Sequence, residues 1–181
     1  MIFSTPYREK TDADLMTRIP QGDKKAFKEI LSRYQGGVYG FALSLLRDPQ
    51  EAEDISQEVF LRLYKTASSY RSSATLKTYI FRITRNLCID YHRKKRPQAM
   101  PDPPEPVCAH TPYHQLYASE LRDRIDAIIS DLPGNQRAAI HLRHVHGMSY
   151  REIADTLGVT VQAVESLLTR ARRTFRDRFD S

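Results

Sequence analysis

Six of the ten prolines in this chain fall between Pro97 and Pro112, in the stretch RPQAMPDPPEPVCAHTP. Each proline lacks a backbone donor and holds φ at roughly −65°, so no helix runs through that density and strands tolerate it poorly. Such a segment is extended and semi-rigid, at about 3 Å per residue. It could hold two bodies some tens of Å apart. On either side the apolar residues recur with helical period, and no hairpin signal or alternating strand of any length is present. The expectation is an all-α protein made of two small helical domains. A tail at residues 1–10 precedes a module at 11–96, a proline-rich linker at 97–114 and a second module at 115–181.

A length of 181 residues suits one ordinary domain or two small ones. The formal net charge is +6, which favours an anionic partner without requiring one. That charge is uneven. Residues up to Arg96 hold 18 Lys and Arg against 11 Asp and Glu, whereas from Glu120 onward the count is 10 against 9, with the basic residues bunched at the end. The N-terminus MIFSTPYREKTDADL has no apolar core segment of a signal peptide, and the longest apolar run, Val38 to Leu46, is too short to span a bilayer. Two cysteines, Cys88 and Cys108, give no disulfide framework. A reducing, cytoplasmic setting with no membrane insertion is expected.

In the second module, MSYREIADTLGVTVQAVESLLTRARRTF has the rhythm of helix, tight turn, helix. Thr160 suits the N-cap of the second helix. At about 100° per residue, Val164, Leu168, Ala171 and Phe175 share one face, a core stripe. The opposite face carries Gln162, Ser166, Thr169, Arg170 and Arg173, edged by Glu165 and Ala163. A helix with this polar face can enter a major groove. Gln162 suits adenine and Glu165 suits cytosine, while Arg170, Arg172, Arg173 and Arg176 suit phosphates.

In the first module, LRDPQEAEDISQEVFLRLYK reads as a helix with Asp48 as cap, Pro49 at the first helical position and Glu51 completing a capping box. Ala52, Ile55, Val59 and Leu63 form its core face. The other face shows Asp54, Gln57, Leu61 and Tyr64, flanked by Glu53, Glu58 and Phe60. An acidic rim around exposed apolar residues repels phosphate and fits a protein partner. The next helix, LKTYIFRITRNLCIDYHRKKR, buries Leu76, Ile80, Ile83, Leu87 and Tyr91. Opposite lie Thr78, Arg82, Arg85, His92 and Arg93, with Asn86 beside them and Tyr70, Tyr79 and Phe81 nearby. Cations interleaved with aromatics can hold unpaired bases by stacking while neutralising backbone charge.

Taken in order, GDKKAFKEILSRYQGGVYGFALSLLRDPQEAEDISQEVFLRLYK, YIFRITRNLCIDYHRKKR and LPGNQRAAIHLRHVHGMSYREIADTLGVTVQAVESLLTRARRTFR cover nearly the whole chain outside the tail and linker. Together they resemble the bacterial sigma factors of the small, two-domain, extracytoplasmic-function group. The resemblance implies that the first module is sigma domain 2, docking on the β′ clamp helices of core RNA polymerase through Asp54, Gln57 and Glu58, with Leu61 on the same face. It implies that the loop at about Tyr70–Leu76 and the helix after it recognise and open the promoter's −10 element. Tyr70, Arg82, Arg85 and Arg93 are the candidate contacts there, and Asn86 matches the family's Asn near the non-template strand. The second module becomes sigma domain 4, touching the β flap and reading the −35 element of promoter DNA through Thr160, Gln162, Glu165, Ser166, Thr169, Arg170 and Arg173. An anti-sigma factor is the usual further partner. Two departures stand out. Tyr79 replaces a frequent Trp, and Glu165-Ser166-Leu167-Leu168 replaces a frequent Lys-Ser-Arg-Leu, which removes two cations from the reading face.

The main alternative is a helix-turn-helix regulator that binds duplex DNA without core polymerase. It accounts for the second module but not for the acidic and basic-aromatic helices of the first. No nucleophile–base pair, phosphate-cradling glycine loop or metal-binding helix motif marks an enzyme. The chain calls for no cofactor. Neither Cys108, His110 and His114 nor His141, His144 and His146 have spacing that exceeds chance for a metal site, and Cys88 beside the buried stripe reads as packing.

Overall fold

A computed structural model describes residues 6–70, 74–95 and 116–180, with the backbone alone at 116–120, 122 and 123. All regular structure among the described residues is helical. The packing divides the chain into two compact units, Met1–Asp90 and Tyr91–Ser181, and the division falls within a helix.

The first unit begins with a 3-10 turn at Tyr7–Glu9 and helix α1, Asp12–Arg18. Thr11 and Asp14 form a reciprocal capping box at its start. Gly22, at φ 82°, turns the chain into α2, Lys24–Leu46, whose first amides donate to Asp23. Arg47 takes a left-handed φ of 57° and ends that helix. Helix α3, Pro49–Thr66, follows at once, with Asp48 Oδ1 accepting from Gln50 N at 3.1 Å and Glu51 N at 3.3 Å. These cap bonds satisfy amides that have no partner within the helix. Helix α4 spans Leu76–Lys95, and Thr75 Oγ1 accepts from Thr78 N at 3.2 Å at its start. Leu15, Ile30, Phe41, Leu63, Ile80 and Phe81 are fully buried at the centre. Phe41 and Phe81 meet edge to face with centroids 5.4 Å apart, the geometry favoured by the ring quadrupoles. Arg33 ties the N-terminal turn down. Its guanidinium donates to Asp12 at 2.7 Å, to Glu29 at 3.0 Å and to the carbonyls of Tyr7, Arg8 and Lys10.

The second unit contains α5 (Leu116–Ser130), α6 (Gly134–Ile140), a π-helical turn (His141–Val145), α7 (Tyr150–Leu157) and α8 (Val161–Phe179). A Ser149/Glu152 capping box starts α7, and Gly158 at φ 61° ends it. Thr160 Oγ1 accepts from Ala163 N at 3.2 Å and opens α8. Leu142, Met148, Ile153, Leu157, Val164 and Leu168 form the core between α7, α8 and the π turn.

Several side chains depart from the expectations of linear periodicity. Thr78, expected on the open face of α4, is 1% exposed and shares a hydrogen bond with Thr75 at 2.9 Å. Phe81 is buried against Phe41 and is not a stacking platform. Ile83 and Tyr91 are only half-buried, and the stripe they were expected to complete runs instead through Phe81, Thr84 and Cys88. Thr84 fits there because its hydroxyl donates to Ile80 O at 2.9 Å. Phe60, expected on the flank of the docking face, is 6% exposed and packs inward. Phe175 is half-buried at the end of its stripe and stacks on Phe179 at 5.5 Å. Burial pushes the Cys88 thiol up to about 12, which leaves it a packing residue.

Candidate functional site

Three surfaces carry the sequence-predicted residues. The first lies on α3 and α2. Asp54, Gln57 and Leu61 are exposed on α3, and Leu61 retains 53% of its surface. Glu58 is half-buried and held by Arg62 at 2.6 Å, a hydrogen bond that keeps its carboxyl below the usual range. Beside them is a groove of about 680 Å³, floored by Phe27, Leu31 and Phe60 and closed by Tyr39, Gln57 and Leu61. Sequence reasoning found the α3 side of this groove and missed the α2 side. The signal was present, since Phe27, Leu31, Gln35 and Tyr39 recur every four residues along α2, the row that forms a ridge on a helix.

The second surface is the outer face of α4. Arg82, Asn86 and Arg93 are exposed, while Arg85 is half-buried and its pKa is drawn down by desolvation. The cap at Thr75 and the buried row Leu76, Ile80, Thr84, Leu87 fix the helix so that this face turns outward. Tyr70 is half-buried, donates to Ala74 O at 3.3 Å and packs on Tyr79 at 5.3 Å. Arg82 lies over the Tyr79 ring at 5.7 Å. Tyr70, Tyr79 and Arg82 thus form a cluster of two rings and a cation, and Tyr79 occupies its centre. The rest of the expected loop, residues 71–73, lies outside the described residues.

The third surface is α8. Thr160, Gln162, Glu165, Ser166, Thr169, Arg170 and Arg173 are all exposed on the face opposite Val164, Leu168 and Ala171. Arg170 Nε donates to Ser166 O at 3.2 Å, and Arg173 stands 3.8 Å from Asp177 with 84% of its side chain exposed. Arg172 and Arg176, which suited phosphates in the linear reading, instead border a second groove with Ile129, Ile140, Phe175 and Phe179. His144 lines that groove too. His141 and His146 meet with ring centroids 5.0 Å apart across the π turn. Burial, and then His146, lowers the His141 pKa to about 4. Cys108, His110 and His114 lie outside the described residues. Among the described residues no group of three or more His, Cys, Asp or Glu is gathered to hold a metal, and no helix is long and apolar enough to cross a membrane.

Known proteins match the helices that carry these surfaces. The family described as Sigma-70 region 2 matches residues 30–98, and Sigma-70, region 4 matches residues 122–175. The RNA polymerase sigma-H factor of Pseudomonas aeruginosa is 31% identical over 176 residues, 91% of this chain and 91% of that protein. The ECF RNA polymerase sigma-E factor of Haemophilus influenzae is 32% identical, covering 90% of this chain and 92% of that protein. The sigma factor RpoE of Bartonella quintana, solved with the anti-sigma factor NepR, superposes with a TM-score of 0.71 at 25% identity, over 86% of this chain and 98% of that one. The chain belongs to the extracytoplasmic-function (ECF) family of RNA polymerase sigma factors.

Proposed function

We propose that the protein binds core RNA polymerase and directs it to promoters by recognising their −10 and −35 elements. In this reading residues 11–96 act as domain 2, residues 97–114 as the linker and residues 115–181 as domain 4. Asp54, Gln57, Glu58 and Leu61 meet the β′ clamp helices. Arg82, Asn86 and Arg93, helped by Arg85 and the Tyr70–Tyr79 pair, hold the −10 element. The α8 residues from Thr160 to Arg173 read the −35 element while the same unit touches the β flap. The protein works in the cytoplasm, without catalysis of its own. The solved Bartonella relative is bound to an anti-sigma factor, and a partner of that kind holds this protein inactive until its signal arrives.

The observation that carries this reading is the presence together of an acidic face around the α2–α3 groove and the cationic outer face of α4. A regulator that binds duplex DNA alone has use for neither. Extruding a base costs a few kcal/mol, and less where it is already unpaired. The holoenzyme is therefore expected to bind a −10 segment with a mismatched bubble more tightly than the matched duplex, and Asn86→Ala to erase much of that difference while leaving core binding intact. Fluorescence anisotropy on the two DNA forms measures it. Equal affinity for bubble and duplex, or specific promoter binding without core polymerase, overturns the proposal.

A further inference from the structure

One large apolar side chain sits where the cationic face of α4 offers no reason for it. Ile89 is 44% exposed, whereas Leu76, Ile80, Phe81, Leu87 and Cys88 on the same helix are at most 7% exposed. Residues 82, 86, 89 and 93 are spaced by four, three and four. At about 100° per residue they fall within an arc of about 60°. Ile89 therefore stands within a single row with exposed Arg82, Asn86 and Arg93. At about 1.5 Å per residue the row is about 16 Å long, the length of about five base pairs at 3.4 Å each.

The charge around Ile89 selects its occupant. Helix α4 carries Lys77, Arg82, Arg85, Arg93, Lys94 and Lys95 against one acid, Asp90. A polyanion complements that surface, and an apolar protein partner does not. On a nucleic acid an aliphatic group in a polar row has one favourable counterpart among the base edges, the C5 methyl of thymine. We infer that Ile89 is a specificity-determining residue that packs against the methyl of one thymine in the −10 region. The inference rests on the reading of α4 as the −10 helix. Arg82 and Arg93 hold the backbone, Asn86 bonds to a base, and Ile89 adds a selection for thymine at the position between them that polar contacts alone would not supply.

Holoenzyme assembled from the full chain and core polymerase tests this. The probe is a fluorescein-labelled promoter duplex, first selected from a randomised library by the same holoenzyme. Each thymine of its −10 region is then replaced singly by deoxyuracil, which deletes only the methyl. At one position the wild type should lose about fourfold in affinity, the worth of one buried methyl. Ile89→Ala should lose at least as much on the thymine probe and show no further loss with deoxyuracil there. Ile89→Val, which keeps the branched shape and folds under the same constraints, should fall between. The inference is overturned if Ile89→Ala leaves binding unchanged, if it weakens thymine and deoxyuracil probes alike at every position, or if it weakens binding to core polymerase without DNA. Arg82→Ala and Asn86→Ala separate the two levels. If they weaken promoter binding while Ile89→Ala does not, only the role of Ile89 falls. If none of the three matters, the placement of α4 on DNA falls with it.

Discussion

Removing Leu61 and Asp54 from the outer face of α3 should uncouple the protein from core polymerase without unfolding it. Leu61 retains 53% of its surface. Complete burial of a leucine is worth about 1.5–3 kcal/mol, so docking can recover about 0.8–1.6 kcal/mol from the part still exposed. A charge-assisted hydrogen bond from exposed Asp54 adds about 1.5–3 kcal/mol if the contact excludes water. The two residues are seven apart, about 10 Å along the helix axis, far enough for their effects to add. The double variant Asp54→Ala/Leu61→Ala should therefore lose about 2.3–4.6 kcal/mol, roughly 50- to 2,000-fold in Kd. Neither side chain is in the core row of Ala52, Ile55, Val59 and Leu63, and alanine is at least as good a helix former as either. Circular dichroism and the urea midpoint should be unchanged. Titration of labelled protein with core polymerase measures the affinity. An unaltered Kd in a folded double variant would refute the assignment, and a large fall in the urea midpoint would show that Leu61 supports the fold instead.

Phe81→Ala, which empties a fully buried site against Phe41, should cost about 3–5 kcal/mol, read as a lower urea midpoint for the first unit. Gln162→Ala should change base preference at a few −35 positions by roughly 1–3 kcal/mol, whereas Arg173→Ala should weaken all sequences alike and flatten the salt dependence; selection from randomised promoters and a salt titration distinguish the two. Burial favours neutral His141, so its folded pKa of about 4 lies below its ordinary 6.5. The stability this confers on the second unit is complete above pH 6.5 and is lost as pH falls toward 4, which urea unfolding at pH 7 and pH 5 and the NMR titration of its ring should show.

Much of this was legible in the sequence because strong local signals agreed. The caps at Asp48 and Thr160 and the 3.6-residue rows of α3 and α8 each mark a helix end or a face that the structure reproduces, whereas the proline run lies outside the described residues. The differences have two physical causes. Polarity does not imply exposure where a local bond satisfies a polar group. Thr78 and Thr84 are buried because Thr75 and the Ile80 carbonyl take their hydroxyls. Phe60 and Phe81 are reached from a neighbouring helix, which no single-helix projection contains. The Arg33 hub joins residues more than twenty positions apart, and no local pattern signals it.

The departures on α8 bear on why two DNA-reading surfaces are needed. Arg170 spends a donor on the Ser166 carbonyl, Arg173 lies near Asp177, and Arg172 and Arg176 border an apolar groove. From Glu120 onward the balance is only 10 basic against 9 acidic residues. Affinity for duplex DNA grows with the number of phosphates neutralised, so residues 120–181 alone are expected to bind duplex DNA weakly and to contribute mostly base choice. Weak reading suffices when another contact supplies the affinity. With the first unit held by core polymerase as proposed, a tether at residues 97–114 would turn the second unit's encounter with DNA into an intramolecular step at an effective concentration of order millimolar. The same arithmetic would keep the free protein off most chromosomal DNA. If the α2–α3 face docks on core polymerase as proposed, an occupant of that face would silence both readers without covering either, because it would remove the contact that makes weak reading sufficient.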